Sequence, residues 1–113
     1  MATVIPIEEL RRSPTAALFE GGEDVGISIF VTEYERGRGP DLHLHPYPEV
    51  FVVETGTARF TAGHEELVVS AGHIVTVPAQ TPHGFKCAGD DRLRVVSVHP
   101  SGSVQQTDLT PLS

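Results

Sequence analysis

Proline and glycine set the first limit on this chain. Nine prolines and 11 glycines fall within 113 residues, so a break in regular structure recurs every few positions and no long uninterrupted helix can form. The intervals hold short runs rich in β-branched and aromatic residues, at 25–34, 50–53, 57–61, 67–70, 73–77 and 92–99, bounded by Gly, Pro, Asp and Ser. Short runs at this spacing predict an all-β sandwich or barrel. Hairpins are expected at Glu54-Thr55-Gly56 and at residues 62–66, where Gly63 supplies a positive φ, and a third turn at Ala71-Gly72. The one helical pattern, residues 7–12, has acidic residues first and arginines last, and Pro14 limits it to a turn or two.

The length suits a single domain spanning 1–113, since domains typically hold roughly 100 to 150 residues. Several runs are apolar at both parities, as in Val50, Phe51, Val52 and Val53, so both faces of those strands should be covered. The other sheet supplies one cover and a second subunit the other, which predicts a homodimer; short strands with merely apolar ends are the alternative. The tail, residues 100–113, is rich in Ser, Thr, Gln and Pro and is expected either to be loose or to dock on a partner subunit.

Charge excludes some partners. Fifteen acidic against eight basic side chains give a net charge of −7, the opposite of the clustered basic footprint that a phosphate backbone requires. No apolar run approaches the roughly 20 residues of a membrane helix. A single cysteine, Cys87, and an N-terminus without an apolar export segment lead us to expect a reducing cytoplasm.

Histidine carries the most specific signal. Three of the six histidines and one glutamate fall where turns meet strands, in His43-Leu44-His45-Pro46-Tyr47-Pro48-Glu49 and in Pro78-Ala79-Gln80-Thr81-Pro82-His83. Residues two apart on a strand share a face, so His43 and His45 reach one point while Leu44 points away. Pro46 and Pro48 cannot sit in a central strand, so a turn brings Glu49 back on the next strand, expected to lie beside the first. A lone buried histidine is usually a hydrogen-bonded core residue, but a His-x-His pair followed by a carboxylate suits a divalent Mn, Fe, Co, Ni, Cu or Zn ion. His64 and His73 are expected to be solvated, and His99, before Pro100, to be a rim or interface residue.

These residues resemble the two motifs of the cupins. Gly37, His43, His45, Glu49 and Gly56 meet every fixed position of the first, G-x5-H-x-H-x3-E-x6-G, over 37–56. Gly72, Pro78 and His83 meet the second, G-x5-P-x-G-x2-H-x3-N, over 72–87, with Gln80 in place of its glycine and Cys87 in place of its asparagine. The 15 residues between them, 57–71, are similar to the interval of small single-domain prokaryotic cupins. The resemblance implies a conical jelly-roll β-barrel of two antiparallel sheets, with His43, His45, Glu49 and His83 as ligands of one divalent transition metal inside it. Gln80 is expected to alter the backbone of its loop, and a thiol at Cys87 is an optional fifth contact.

Four protein ligands leave one or two positions on such an ion for substrate, water or O2. The resemblance therefore covers dioxygenases, decarboxylases, isomerases and cyclases, and equally a non-catalytic barrel that binds or senses a ligand or metal. By parity with Glu49, Phe51 and Val53 face inward, as do Ala58 and Phe60 on the next strand and Phe85 beside His83. These residues form either an apolar substrate chamber or simply core. A chamber of this kind suits a small apolar molecule with oxygen donors better than a phosphorylated sugar. Tyr47 is expected at the mouth as an acid or base, with Tyr34 on the strand before it, and Glu49 is the nearest general base.

Overall fold

The computed structural model describes residues 1–109. In chain order their strands are β1 (Arg11–Ser13), β2 (Ala16–Glu20), β3 (Ser28–Tyr34), β4 (His43–Leu44), β5 (Glu49–Thr55), β6 (Thr57–Ala62), β7 (Glu65–Ser70), β8 (His73–Val77), β9 (His83–Cys87), β10 (Leu93–His99) and β11 (Thr107–Asp108). They form two antiparallel sheets, β1-β2-β3-β10-β5-β8 and β11-β4-β9-β6-β7, the jelly-roll barrel the motifs imply. Among the described residues helix is confined to single turns at Ile7–Leu10 and Gly22–Val25. The first is shorter than expected because the chain extends into β1 at Arg11. The second displaces the start of the expected 25–34 strand to Ser28, since Gly26, at φ 72°, closes a helical turn there.

Alternation governs the interior. β5 buries Glu49, Phe51 and Val53, and β10 buries Leu93, Val95, Ser97 and His99, with the intervening residues facing outward. Between the sheets Phe51, Val53, Ala58, Phe60, Val75, Val77, Phe85, Cys87, Leu93 and Val95 form one apolar cluster. Each fully buried Val, Leu or Phe side chain contributes about 1.5–3 kcal/mol through removal from water. The outward parity of β5 and β10 (Val50, Val52, Val96, Val98) is half-buried, which accounts for the apolar residues at both parities.

Gly56, at φ 79°, turns β5 into β6; a Cβ there would come within 2.8 Å of the Arg92 carbonyl oxygen and 2.9 Å of Leu93 Cα. Only glycine fits, on both conformational and steric grounds. The described part of the tail is held on this chain's own barrel. Thr107 and Asp108 pair with Leu44 and His43, the Leu109 N–H donates to the Leu42 carbonyl at 3.0 Å, and the Val104 N–H donates to Glu20 Oε2 at 2.9 Å. Residues 110–113 of that tail lie outside the described residues.

Candidate metal centre

The histidines and Glu49 come from opposite sheets. His43 and His83 are direct cross-strand partners on β4 and β9, and His45 follows β4 by one residue. Glu49 opens β5, which pairs with β8 and β10 in the other sheet. This corrects the expectation that β5 lies beside the His43 strand. The two prolines at 46 and 48 remove the N–H donors a hairpin ladder needs, so the segment crosses the barrel instead. The carboxylate then meets the imidazoles across the interior.

All four side chains are buried, and their ligand atoms lie within 4.8 Å of one another. Glu49 Oε1 is 3.0 Å from Nε2 of both His45 and His83. The far nitrogen of each imidazole is committed to a backbone carbonyl: His43 Nδ1 to Asp41 at 2.7 Å, His45 Nδ1 to Gln105 at 2.7 Å, and His83 Nδ1 to Thr81 at 2.8 Å. His83 Nε2 is also hydrogen-bonded to Glu49 Oε1. Carbonyls and carboxylates only accept, so when a cation takes the place of the Glu49 contact the neutral rings carry their proton on Nδ1 and each Nε2 presents a lone pair toward the shared centre. This carbonyl-held tautomer is the arrangement that orients metal-binding imidazoles. His45 Nε2 is buried without a hydrogen-bond partner, and a buried lone pair is costly unless a cation meets it. Three neutral nitrogens and one carboxylate oxygen, with no thiolate, fit a divalent transition ion.

Electrostatics agree with that fit. Burial pushes the Glu49 carboxyl up, but the imidazoles of His45, His83 and His99 outweigh it and hold the group well below the usual carboxylate range. The imidazoles exert this effect as N–H donors, so Glu49 is held ionised while they are protonated toward it, or when a cation takes the place of those protons. Burial lowers His43 below the ordinary imidazole value, with only partial compensation from the Asp41 carbonyl. At His45 burial is overcome by Glu49 and the Gln105 carbonyl, and the value is raised.

The sign of the resulting pH dependence follows. A raised His45 means that protons compete with a metal from above the ordinary imidazole pKa of about 6.5. In the metal-free protein the His45 interaction stabilises fully below that value and is lost as pH rises through the raised one. Metal-induced stabilisation should thus fall on acidification, beginning above about pH 6.5, until the curves with and without metal meet. Thermal unfolding across pH, with and without added metal, measures this. A metal-induced shift that stays constant down to about pH 5 would contradict it.

A cavity of about 200 Å³ adjoins the cluster, with His43 and Glu49 in its wall beside Phe30, Thr32, Tyr34, Phe51, Phe85, Ser97 and His99. Phe51 and Phe85 line this cavity. Val53 and Phe60 do not: both are fully buried in the apolar cluster beneath it. On β5 the cavity reaches Glu49 and Phe51 only, because Val53, like Phe60 on β6, packs in the apolar cluster between the sheets.

Tyr47 is not at the mouth. Its ring stacks on His45, with centroids 5.2 Å apart and planes 5° apart, and its hydroxyl is 2.7 Å from His99 Nδ1. Tyr34 is the tyrosine that reaches the cavity. Cys87 lies four residues along β9 from His83, a separation of about 13 Å in a strand; it packs in the apolar cluster with Sγ directed to the Asp91 carbonyl at 3.4 Å. It is not a contact of the centre. Gln80 adopts φ 59°, the sole non-glycine residue with positive φ among those described. The loop therefore keeps the glycine-like backbone despite the substitution, at a cost on the order of 1 kcal/mol.

His99 is the residue that sequence reasoning misplaced. Rather than a rim or interface position, it is 1% exposed, and its Nε2 is 3.0 Å from Glu49 Oε2. The available signal was parity: Leu93, Val95, Ser97 and His99 share the inward face of β10. His64 and His73 are exposed, as expected.

Comparison with known proteins agrees with this architecture. Residues 30–99 match the model of the Cupin_2 family, described as a cupin domain. An uncharacterized protein of Streptomyces coelicolor, SCO3923, is 29% identical over 92 residues, covering 81% of this chain and 87% of its own. Among solved structures, an uncharacterized conserved protein of Klebsiella pneumoniae with a double-stranded β-helix domain superposes with a TM-score of 0.76 at 19% identity, over 92% of this chain and 88% of that one. Oxalate oxidase in complex with glycolate superposes with a TM-score of 0.70 at 18% identity, over 85% of this chain and 56% of that one. Bacillus subtilis oxalate decarboxylase, described with Mn(II) centres, superposes with a TM-score of 0.75 at 21% identity, over 87% of this chain and 29% of that one. The chain thus spans about half the oxalate oxidase chain and under a third of the decarboxylase chain.

Proposed function

The chain belongs to the cupin family, and we propose that it is a metal-dependent enzyme acting on a small, largely apolar molecule with oxygen donors, dioxygenase-type oxidation being favoured over isomerisation, decarboxylation or cyclisation. One observation carries this: His43 and Glu49 form part of the wall of a chamber that also presents Phe30, Tyr34, Phe51 and Phe85, with Thr32, Ser97, His99 and Gln106 as its other polar groups and no lysine or arginine among its lining residues. Its volume of about 200 Å³ is below the roughly 300–1,000 Å³ of pockets for drug-sized ligands and somewhat above the ~150 Å³ that admits benzene. A single ring or a short chain fits; a fused polycyclic compound does not.

A divalent ion held by His43, His45, Glu49 and His83 would supply Lewis-acid or redox chemistry at the chamber wall. The protein's own contribution is to exclude water with four aromatic rings, to hold three imidazoles as lone-pair donors, and to keep Glu49 ionised. Apolar walls also admit O2 more readily than a hydrated site would, which motivates the order of reaction types. The test is protein carrying one equivalent of metal, assayed for O2 uptake and product formation on monocyclic catechols, short β-diketones and keto-acids. Uptake with one compound class supports the proposal. No turnover across the panel overturns it.

One observation favours a second reading, a non-catalytic module that binds a small ligand or metal. The only carboxylate in the chamber wall, Glu49, is held by three imidazoles and kept a weak base, and the Thr32 hydroxyl is already bonded to the Val95 carbonyl at 3.2 Å. Tight binding of a metabolite without turnover supports that reading.

We also propose that the protein is a homodimer. Ile29, Val98 and Val50 form one cross-strand row on the outer face of the first sheet, and Val31, Val96, Val52 and Ile74 form the next. Ion pairs of Arg94 with Glu33 and Glu54 bound one end of this apolar face, the apolar-centre, polar-rim pattern of an interface. A second copy is the proposed occupant because these strands are apolar at both parities, and the opposite sheet covers only the inner one. Val96→Glu is expected to convert dimer to monomer in light scattering; an unchanged mass, or a monomeric parent protein, would rule this out. No helix among the described residues is long and apolar enough to cross a membrane. The single buried cysteine and the charge of −7 are the basis for reading the protein as cytoplasmic and without a nucleic-acid partner.

A further inference from the structure

We propose that His99 is a positioning residue that holds Glu49 by its second oxygen, so that the carboxylate presents only Oε1 to the imidazole cluster. The inference rests on the metal-centre reading for its consequence, but its geometry concerns groups of this chain alone. Oε1 lies 3.0 Å from both His45 Nε2 and His83 Nε2, whereas Oε2 lies 3.0 Å from His99 Nε2. The two oxygens of one carboxylate are thus divided between two environments.

Proton accounting decides what His99 offers. The Gln105 N–H donates to the Tyr47 hydroxyl oxygen at 3.2 Å, and that hydroxyl is 2.7 Å from His99 Nδ1. A phenol that has already accepted a bond has its own proton left to give, and His99 Nδ1 is the acceptor within reach. In the neutral ring Nδ1 then carries the lone pair and Nε2 the proton. This is the opposite of the metal-binding tautomer of His43, His45 and His83, whose Nδ1 atoms face carbonyls.

The assignment also separates His99 from the ligands. As a fifth ligand it would need a lone pair on Nε2; Tyr47 would then accept from both the Gln105 N–H and His99 Nδ1–H and leave its own proton unused. An Nε2–H near Oε2 instead turns the positive end of the N–H dipole toward an anionic oxygen in a buried site, where electrostatic attraction is little screened. The His99 N–H is set off the line to the oxygen, so that Nε2 has no aligned partner; bonds of this kind tighten when the site is loaded.

The same peptide anchors both sides of the centre. Gln105 accepts from His45 Nδ1 through its carbonyl and donates to Tyr47 through its N–H. Tyr47, stacked on His45 and bonded to His99, therefore links the returning tail to a ligand imidazole and to the group that holds Glu49. Its part is positioning, through His99, and not proton transfer at the substrate.

The test begins with metal-free protein labelled with ¹⁵N-histidine at alkaline pH, where the imidazoles are neutral and long-range ¹H–¹⁵N spectra report each tautomer. His99 is expected as the Nε2–H form and His43, whose Nδ1 faces the Asp41 carbonyl, as the Nδ1–H form, with Tyr47→Phe returning His99 toward a mixture. His99 in the Nδ1–H form overturns the proposal. Competition titration with Mn(II) or Zn(II) then reads the consequence: His99→Leu should weaken affinity by about 10- to 100-fold, and His99→Gln, which keeps an N–H donor at comparable reach, should recover most of it. Equal affinity of His99→Leu and parent overturns the positioning role. Should the parent bind neither metal, the metal-centre reading fails, while the tautomer pattern and its response to Tyr47→Phe still decide whether His99 holds Glu49.

Discussion

Replacing His45 with alanine abolishes metal-dependent stabilisation of the folded protein. At a metal concentration 100 times the dissociation constant, the parent should gain about 2.7 kcal/mol by mass action, roughly 10 °C in melting temperature for a chain of this size. His45 contributes one of three converging Nε2 atoms and is 3.0 Å from the Glu49 oxygen that shares the centre, so its loss removes a ligand and one of the contacts that place the carboxylate. The metal-free variant is also expected to be less stable than metal-free parent by about 1–3 kcal/mol, because the Gln105 carbonyl loses its donor. Each protein must therefore be compared with and without metal. The measurement is the shift in thermal midpoint on adding metal, and a variant that keeps the parental shift would show that the ion, if bound, is held elsewhere.

Phe60→Ala is expected to be the most destabilising single truncation, at about 3–5 kcal/mol. That is a large share of the roughly 5–15 kcal/mol that holds a domain folded. Phe60 is fully buried beneath the chamber, with ring centroids 5.1 Å from Phe51 and 4.9 Å from Phe85. It contacts the two phenylalanines that line the cavity without lining it itself. Urea unfolding should show the full loss, while the folded fraction keeps metal stoichiometry. A cost below about 1 kcal/mol accompanied by altered ligand binding would instead make Phe60 a wall of the chamber. This pairing separates the two readings that parity alone leaves open for the inward aromatic residues.

How much of the centre is legible beforehand differs residue by residue. His43, His45, Glu49 and His83 stand out because ligand spacing is a local property: two positions on one strand face, a proline-bounded crossing, and a histidine after a third proline. Val53 and Phe60 were equally inward by parity, but whether an inward residue meets a cavity or another side chain depends on how far along the strand the opposite sheet closes. His99 lies 50 residues from Glu49 in sequence, and no local spacing relates the two. Its place became visible only when β10 was seen beside β5 in the first sheet. Tyr47 lies within the first motif, yet its hydroxyl is oriented by Gln105 and His99, which come from the far end of the chain.

By itself, then, the sequence determined the all-β class, the turns enforced by proline and glycine, and the four residues suited to a transition ion, because each follows from backbone sterics or from strand periodicity over a few neighbours. Tertiary structure alone decided which sheet carries Glu49, which aromatic residues face open space, and that a fourth histidine grips the carboxylate. Those outcomes depend on closing long loops and stacking two sheets, and the contacts they create are between residues whose separation along the chain carries no information about their distance in the barrel.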